Sequence, residues 1–196
     1  AASDSIAATV LSAIGAETTG VVTVTNAITI TGSTAELTAA MIGASSVVAA
    51  SAKLTASPTG MTDDQLAALD ATTTGIITAT LATGGVADFA NMTDANTNNV
   101  ITVNINGSGS FAATLLSAIG GKTAGVVTAT TVITITGTTA QLTAALVTAD
   151  TLVVAQAAVI GTISDAADVS IAATVLSAIG GKTSGAVTVT NAIVIT

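Results

Sequence analysis

The sequence predicts an α/β or mainly β repeat solenoid. Three observations carry this: long self-similar copies, capping boxes at a recurring place, and blocks that alternate Thr with Val or Ile. Residues 5–37 read SIAATVLSAIGAETTGVVTVTNAITITGSTAEL, and residues 110–142 read SFAATLLSAIGGKTAGVVTATTVITITGTTAQL. A third copy, residues 170–196, reads SIAATVLSAIGGKTSGAVTVTNAIVIT, and 21 of the 26 positions from Ile171 match those from Ile6. A shorter unit lies inside, since QLAALDATTTGIITAT from Gln65 aligns without gaps on the stretch from Val10. Each β block is preceded by a marker residue: Gly20, Ser46, Gly75, Asn99, Gly125, Thr151 and Gly185. The markers predict one continuous array over 1–196 with seven coils of a short helix plus one or two parallel strands. The coils run 5–32, 33–60, 61–85, 86–109, 110–137, 138–165 and 166–196.

Helix starts are expected where a hydroxyl caps the third amide and Glu or Gln reaches back: Ser33 with Glu36, Thr62 with Gln65, and Thr138 with Gln141. Gly15, Gly43, Gly120 and Gly180, with Asp70 in the third coil, are expected to end helices in a left-handed conformation. Ile6, Val10 and Ile14 form an i, i+4, i+8 stripe that recurs as Phe111, Leu115, Ile119 and Ile171, Val175, Ile179, predicting one buried helix face. In the β blocks Val22 and Val24 oppose Thr23 and Thr25, and Ile28 and Ile30 oppose Thr29 and Thr31, so one strand face is apolar and the other is Thr. Asn26, Thr131 and Asn191 hold equivalent places between two β blocks and predict a bend there. Right-handed winding is expected, as for other β-crossover-β connections. The rival reading is an irregular β-solenoid in which the IAATVLSAI blocks are turns or strands.

Composition narrows the function. Half the residues are hydrophobic but only Phe89 and Phe111 are aromatic, so the core is expected to consist of small and β-branched side chains in regular layers. Three Lys, no Arg or His and eleven carboxylates give a net charge of −8, an unsuitable surface for nucleic acid. Polar residues interrupt every apolar stretch before 18 residues, so no membrane insertion is expected. The chain has no Cys and no His, which removes disulfides, thiolate sites and the usual bases for a Ser or Thr nucleophile. It stops at Thr196 within a repeat and is expected to be a segment of a longer protein.

The units STAELTAA, TTGVVTVTNAITITG and DDQLAALDATTTGIITAT resemble those of giant Thr- and Ala-rich surface repeat proteins of cyanobacteria and other marine bacteria, over nearly the whole chain. The resemblance implies secretion and a place in cell-surface layers, adhesins or extracellular fibres, and it brings no catalytic or binding residues. The chain lacks the GGxGxD turns of calcium-binding nonapeptide repeats.

Candidate chemistry is sparse. No catalytic or cofactor-binding residue is expected; the acid pairs Asp63/Asp64 and Asp165/Asp168 are read as helix-start residues. The one oxygen-rich cluster is Asp88, Asn91, Asp94, Asn96, Asn98 and Asn99. Asp88, Asp94 and Asn96 are its calcium candidates, and a polar insertion loop is the preferred reading. Thr23/Thr25, Thr78/Thr80, Thr128/Thr130 and Thr188/Thr190 suggest an ice- or glycan-facing row broken in alternate coils, with members about 9 to 10 Å apart. Glu17 becomes Lys122 and Lys182 at equivalent positions, a charge swap read as an exposed turn. Asn91-Met92-Thr93 and Asn106-Gly107-Ser108 match the N-glycosylation pattern; Gly84-Gly85 and Gly107-Ser108-Gly109 read as corners, not phosphate cradles. The expected function is therefore structural: an extracellular or cell-surface rod, filament or surface-layer element that self-associates. The alternatives are an adhesin stalk and a Thr-face ligand binder.

Overall fold

The computed structural model describes residues 4–43, 47–57, 60–89, 92, 98–129, 131, 133–148, 153–155 and 159–196. They form an α/β fold with six α-helices, and every described strand pair is parallel. The chain divides into two compact units, Ala1–Ala82 with Thr93–Thr102, and Thr83–Met92 with Val103–Thr196.

The first unit contains β1 (Ser5–Ala7), α1 (Ala8–Ala16), β2 (Val22–Thr23), β3 (Thr29–Gly32) and α2 (Thr34–Thr38). The π-helical turn Ala39–Gly43, β4 (Val47–Val48), β5 (Lys53–Ala56), α3 (Asp63–Asp70) and β6 (Ile77–Thr80) come next. Its main ladder runs β1-β3-β5-β6 and ends on residues 100–102 of β7 (Val100–Ile105); β2 pairs with β4. Register places Ile6 against Ile30, Ile30 against Leu54 and Leu54 against Ile77, so one face is an aliphatic column whose last three members are buried. Leu11, Leu37, Leu66 and Leu69 are buried on the helices. Burial of each such side chain contributes about 1.5 to 3 kcal/mol.

The second unit contains the 3-10 turn Val86–Phe89, β8 (Gly109–Ala112), α4 (Ala113–Gly120), β9 (Val127–Ala129), β10 (Ile133–Gly137) and α5 (Thr139–Leu142). After the π-helical turn Thr143–Val147 come β11 (Val153–Ala155), β12 (Ile160–Ile163), β13 (Ser170–Ile171), α6 (Ala173–Gly180), β14 (Val187–Val189) and β15 (Val194–Ile195). Its ladders are β8-β10-β12-β14, residues 103–105 of β7 with β9 and β11, and β13 with β15. Alternating burial is plain in β10, where Ile133 and Ile135 are buried and Thr134 and Thr136 are half-buried.

The three sequence copies fold with one register. Ser5 pairs with Thr29, Ser110 with Thr134 and Ser170 with Val194; the next rungs are Ile6–Ile30, Phe111–Ile135 and Ile171–Ile195. Gly32 and Gly137 explain part of this constancy: a Cβ on either would lie 3.0 Å from the methyl carbon of Ala8 or Ala113, at the start of the preceding helix. All three capping boxes form, and the IAATVLSAI blocks are helical from their third residue, which removes the turn-or-strand alternative. Asn26, Thr131 and Asn191 do lie between two strands. Thr131 Oγ1 donates to Gly107 O at 2.7 Å and Asn191 Nδ2 to Asp165 O at 2.7 Å, tying each bend to the strand region before it.

Two local expectations are corrected. None of Gly15, Gly43, Gly120, Gly180 and Asp70 is left-handed; among the described residues positive φ occurs only at Gly60, Gly109 and Asp168. The helices end instead by tightening, as Lys122 N donates to Ile119 O and Thr123 N to Gly120 O, with the same pattern at Lys182 and Thr183. Such i to i−3 bonds satisfy terminal carbonyls without a left-handed residue. The predicted stripe is met only in part: Ile119 and Ile179 are buried as expected, but the rest of it is out of phase. Ile6, Phe111 and Ile171 are strand residues, Val10 and Ile14 are exposed, and α1 buries Ala8, Leu11 and Gly15. Each of these helices starts after the first stripe residue, and in α1 and α4 the buried face runs along the i, i+3, i+7 line through Leu11 and Leu116.

Candidate functional surface

The recurring layer exposes different faces in its three copies. Ile30 and Ile135 are 0% exposed, whereas Ile195 at the same position is 60% exposed. Ala8 and Ala113 are buried and Ala173 is exposed; Leu11 and Leu116 are buried and Leu176 is half-buried. The first copy is open in the opposite sense. Ile14 is 45% exposed while its equivalents Ile119 and Ile179 are buried.

The strand edges divide in the same way. β6, β9 and β14 occupy the place that β2 holds in the first copy, and each takes a strand on its leading edge: Leu54 opposite Ile77, Val103 opposite Val127, Gly161 opposite Val187. Each pairing is fixed by one bond in the same position. Leu54 N donates to Ile76 O at 3.0 Å, Val103 N to Val126 O at 2.9 Å and Gly161 N to Ala186 O at 3.1 Å. In the first copy the equivalent carbonyl belongs to Val21, which is 70% exposed, and β2 pairs only with β4 on its trailing edge among the described strands.

The turn before each of these strands is built from Thr-x-Gly. Gly20, Gly75 and Gly125 each donate the backbone N–H to the Oγ1 of Thr18, Thr73 or Thr123 two residues earlier, at 2.8 to 3.0 Å. At Gly75 a side chain has no room, since a Cβ would stand 2.1 Å from Ala52 O. At the fourth-coil marker, Asn99 replaces glycine and is buried. Its Oδ1 accepts from Ile77 N at 2.7 Å and its Nδ2 donates to Asp70 Oδ1 at 2.8 Å. The sequence offered no signal for the Asp70–Asn99 pair beyond the break in the glycine series.

The threonine row is corrected. Thr128 is buried, Thr23 stands opposite Val48, and Thr130 lies outside the described residues. Register brings together Thr31, Thr55 and Thr78 on β3, β5 and β6, and Thr136, Thr162 and Thr188 on β10, β12 and β14. These are neighbouring strands, so the members are about 4.8 Å apart. The row expected from sequence does not form because β6 and β14 pair with β5 and β12, the second strands of the preceding coils. Thr78 and Thr188 are exposed and the other four are half-buried.

The remaining candidates have local structural partners. Asp88 Oδ2 accepts from Gly85 N at 2.7 Å, which gives Gly84-Gly85 its corner; Asn91, Asp94 and Asn96 lie outside the described residues. No group of three or more His, Cys, Asp or Glu able to hold a metal occurs among the described residues. Asp63 and Asp64 sit in the first turn of α3, as expected. Asp165 does cap a helix start, though not that of α6: it accepts from Thr139 N at 2.7 Å and Thr139 Oγ1 at 3.3 Å, at the N-terminus of α5. Asp168 occupies a turn with φ of 63°. Lys182 is exposed but Lys122 is half-buried and donates its Nζ to Met92 O, so that turn is not a free surface. Of the two glycosylation patterns, Asn106 is exposed and its N–H donates to Gly84 O at 2.9 Å; Asn91 and Thr93 are not described.

One shallow cleft lies against α1 in the first unit, lined by Thr9, Ser12, Ala13, Ala16, Glu36 and Ala39. Its single carboxylate, Glu36, already accepts from Ser33 N at 2.7 Å. That bond, with help from the Ser33 hydroxyl, holds the Glu36 carboxyl below the ordinary glutamate range. The Glu36 carboxylate is thus engaged as the reciprocal half of the Ser33 capping box. No helix among the described residues is long and apolar enough to cross a membrane. No family model, curated protein or solved structure matches the chain.

Proposed function

We propose that the chain is an extracellular or cell-surface structural repeat protein, without enzymatic activity, that builds a rod, filament or surface-layer element by stacking coils and by self-association. The coils form one right-handed solenoid, and the molecule belongs with the giant Thr- and Ala-rich surface repeat proteins that its sequence resembles. The observation that carries this reading is the pairing of Ser5–Thr29, Ser110–Thr134 and Ser170–Val194 in one register, so that three copies of the sequence build the same parallel rung. Repeated layers in one register suit a structural array, in which each unit is stabilised by its neighbours. An adhesin stalk uses the same architecture without self-association. Sedimentation velocity and electron microscopy of the purified chain over a range of concentrations test the reading. Association that grows with concentration, with elongated particles, is expected; compact monomers at every concentration overturn it.

The threonine columns favour a second reading, a Thr-face binder of ice or glycan. Three hydroxyls on adjacent strands at about 4.8 Å give Thr31–Thr55–Thr78 and Thr136–Thr162–Thr188 a regular polar spacing. Thermal hysteresis and a carbohydrate array test it; neither activity is expected if the columns serve only to order the strands.

A further inference from the structure

We propose that the corner Asn106-Gly107 is a self-modifying site, at which the chain converts its own asparagine to aspartate and isoaspartate with water as the only co-reactant. The site lies wholly within the second unit and does not depend on how the chain assembles.

The reacting groups are adjacent in the sequence and left open by the fold. Asn106 and Ser108 are exposed and Gly107 is half-buried, in the connection between β7 and β8. Neither the Asn106 side-chain amide nor the Gly107 N–H has a hydrogen-bond partner among the described residues, so each is available to the other. The residue after the asparagine must also be small for the two to meet. Packing reserves that place for glycine, since a Cβ on Gly107 would lie 3.1 Å from Phe111 Cζ.

Other described asparagines each lack one of these conditions. Asn99 is buried with both ends of its amide engaged, and Asn191 Nδ2 donates to Asp165 O. Asn104 is half-buried within β7 and precedes the branched Ile105. Asn26 is exposed but precedes Ala27, whose methyl group hinders the approach of its nitrogen.

Hydroxide removes the Gly107 amide proton, and the nitrogen attacks Cγ of Asn106. The N–Cγ bond forms, the Cγ–Nδ2 bond breaks and ammonia leaves, which closes a cyclic imide. Water then opens the ring. Attack at Cγ leaves aspartate; attack at the backbone carbonyl leaves isoaspartate, with the main chain running through Cβ. Either product adds a negative charge to the net −8. The two products differ in what they do to the corner. Asn106 N donates to Gly84 O at 2.9 Å, and Thr131 Oγ1 donates to Gly107 O at 2.7 Å. Isoaspartate inserts a main-chain carbon between those two bonds, beside the closely packed Phe111, so it strains the corner where aspartate does not.

The test follows each asparagine of the purified, folded chain in mildly alkaline buffer, by peptide mass mapping and by labelling with an isoaspartyl methyltransferase. The expected result is the amide-to-acid mass shift at Asn106 ahead of Asn26 and Asn191, with ammonia released in step and the label on the same peptide. Asn106→Gln, at an exposed position and so expected to fold, should lose that label. The isoaspartate fraction, separated by its charge and its label, is expected to unfold at a lower urea midpoint than the parent; an equal midpoint overturns the strain at the corner. If the folded chain keeps Asn106 while the same chain in urea converts it, the fold closes the corner and the site is overturned. Conversion of Asn26 and Asn191 as fast as Asn106 in the folded chain overturns it too.

Discussion

Ile30 and Ile195 hold one position in two copies of one layer, each in register with an isoleucine 24 residues earlier, yet Ile30 is buried and Ile195 is 60% exposed. The difference lies in the next layer: β5 covers Ile30, and no described strand covers Ile195. Ile30→Ala, or Ile135→Ala in the second unit, is expected to cost about 2 to 5 kcal/mol, the range for a truncated buried isoleucine. Ile195→Ala is expected to stay within about 0.5 kcal/mol at concentrations where the chain is monomeric. Urea unfolding of the three variants measures both.

Gly75 presses on the layer before it. A Cβ there would meet the backbone oxygen of Ala52 at 2.1 Å, and backbone cannot rotate away as a side chain can. Gly75→Ala should lower stability by about 1 to 3 kcal/mol, as forced overpacking does. At Gly20 the nearest atom to such a Cβ is Thr18 Oγ1 at 3.4 Å, so Gly20→Ala should leave the urea midpoint nearly unchanged.

The capping box at Ser33 and Glu36 makes stability sensitive to acid. The folded carboxyl titrates below its unfolded value, so its contribution is present above about pH 4.3, the ordinary glutamate pKa, and is lost as pH falls through the lower folded value. Glu36→Gln copies Gln65 and Gln141 of the other two boxes. It should remove that acid-dependent loss, so the difference in urea midpoint between parent and variant changes between pH 7 and pH 3. Ser33→Ala should cost about 1 kcal/mol at neutral pH.

Asn99 joins Asp70 to the backbone of β6 inside the first unit. Asn99→Ala removes the acceptor for Ile77 N and a donor to Asp70, for a loss of about 1 to 3 kcal/mol per buried group left unpaired. Asn99→Asp replaces the amide donor to Asp70 by a second carboxylate, so a hydrogen bond becomes a contact between like charges. That variant should be less stable than Asn99→Ala at pH 7, and thermal melts of the two compare them.

Calcium should have no effect. With Asp88 bonded to Gly85 N, calorimetric titration of chelator-treated chain is expected to register no uptake, and chelation should leave the melting temperature unchanged.

Much of the layer was legible because its determinants are short-range. Ser33 and Glu36 are three residues apart, and the alternation of Ile133, Thr134 and Ile135 is a property of any extended segment. What escaped depends on which strand lies beside which. Thr136, Thr162 and Thr188 share a column only because β14 joins β12, a choice made by packing 26 residues away in the chain. Asp165 looked like the start of the helix after it, whereas its carboxylate reaches the amide of Thr139, 26 residues back. The helix phase was missed for a third reason. Phe111 and Ile171 are hydrophobic at helical spacing from their neighbours but belong to the strands that lead in, so the apparent stripe crosses an element boundary.

The spacing of the rungs also bears on how the chain is made. Every described strand pair joins residues 22 to 26 positions apart, and none waits for a distant segment. Contacts of that range close quickly, because the loop entropy to be overcome is small. A polypeptide leaving a ribosome can therefore pair each strand with an earlier one as it emerges. Strand pairing then keeps pace with synthesis, and each new strand finds its partner within the 22 to 26 residues already made.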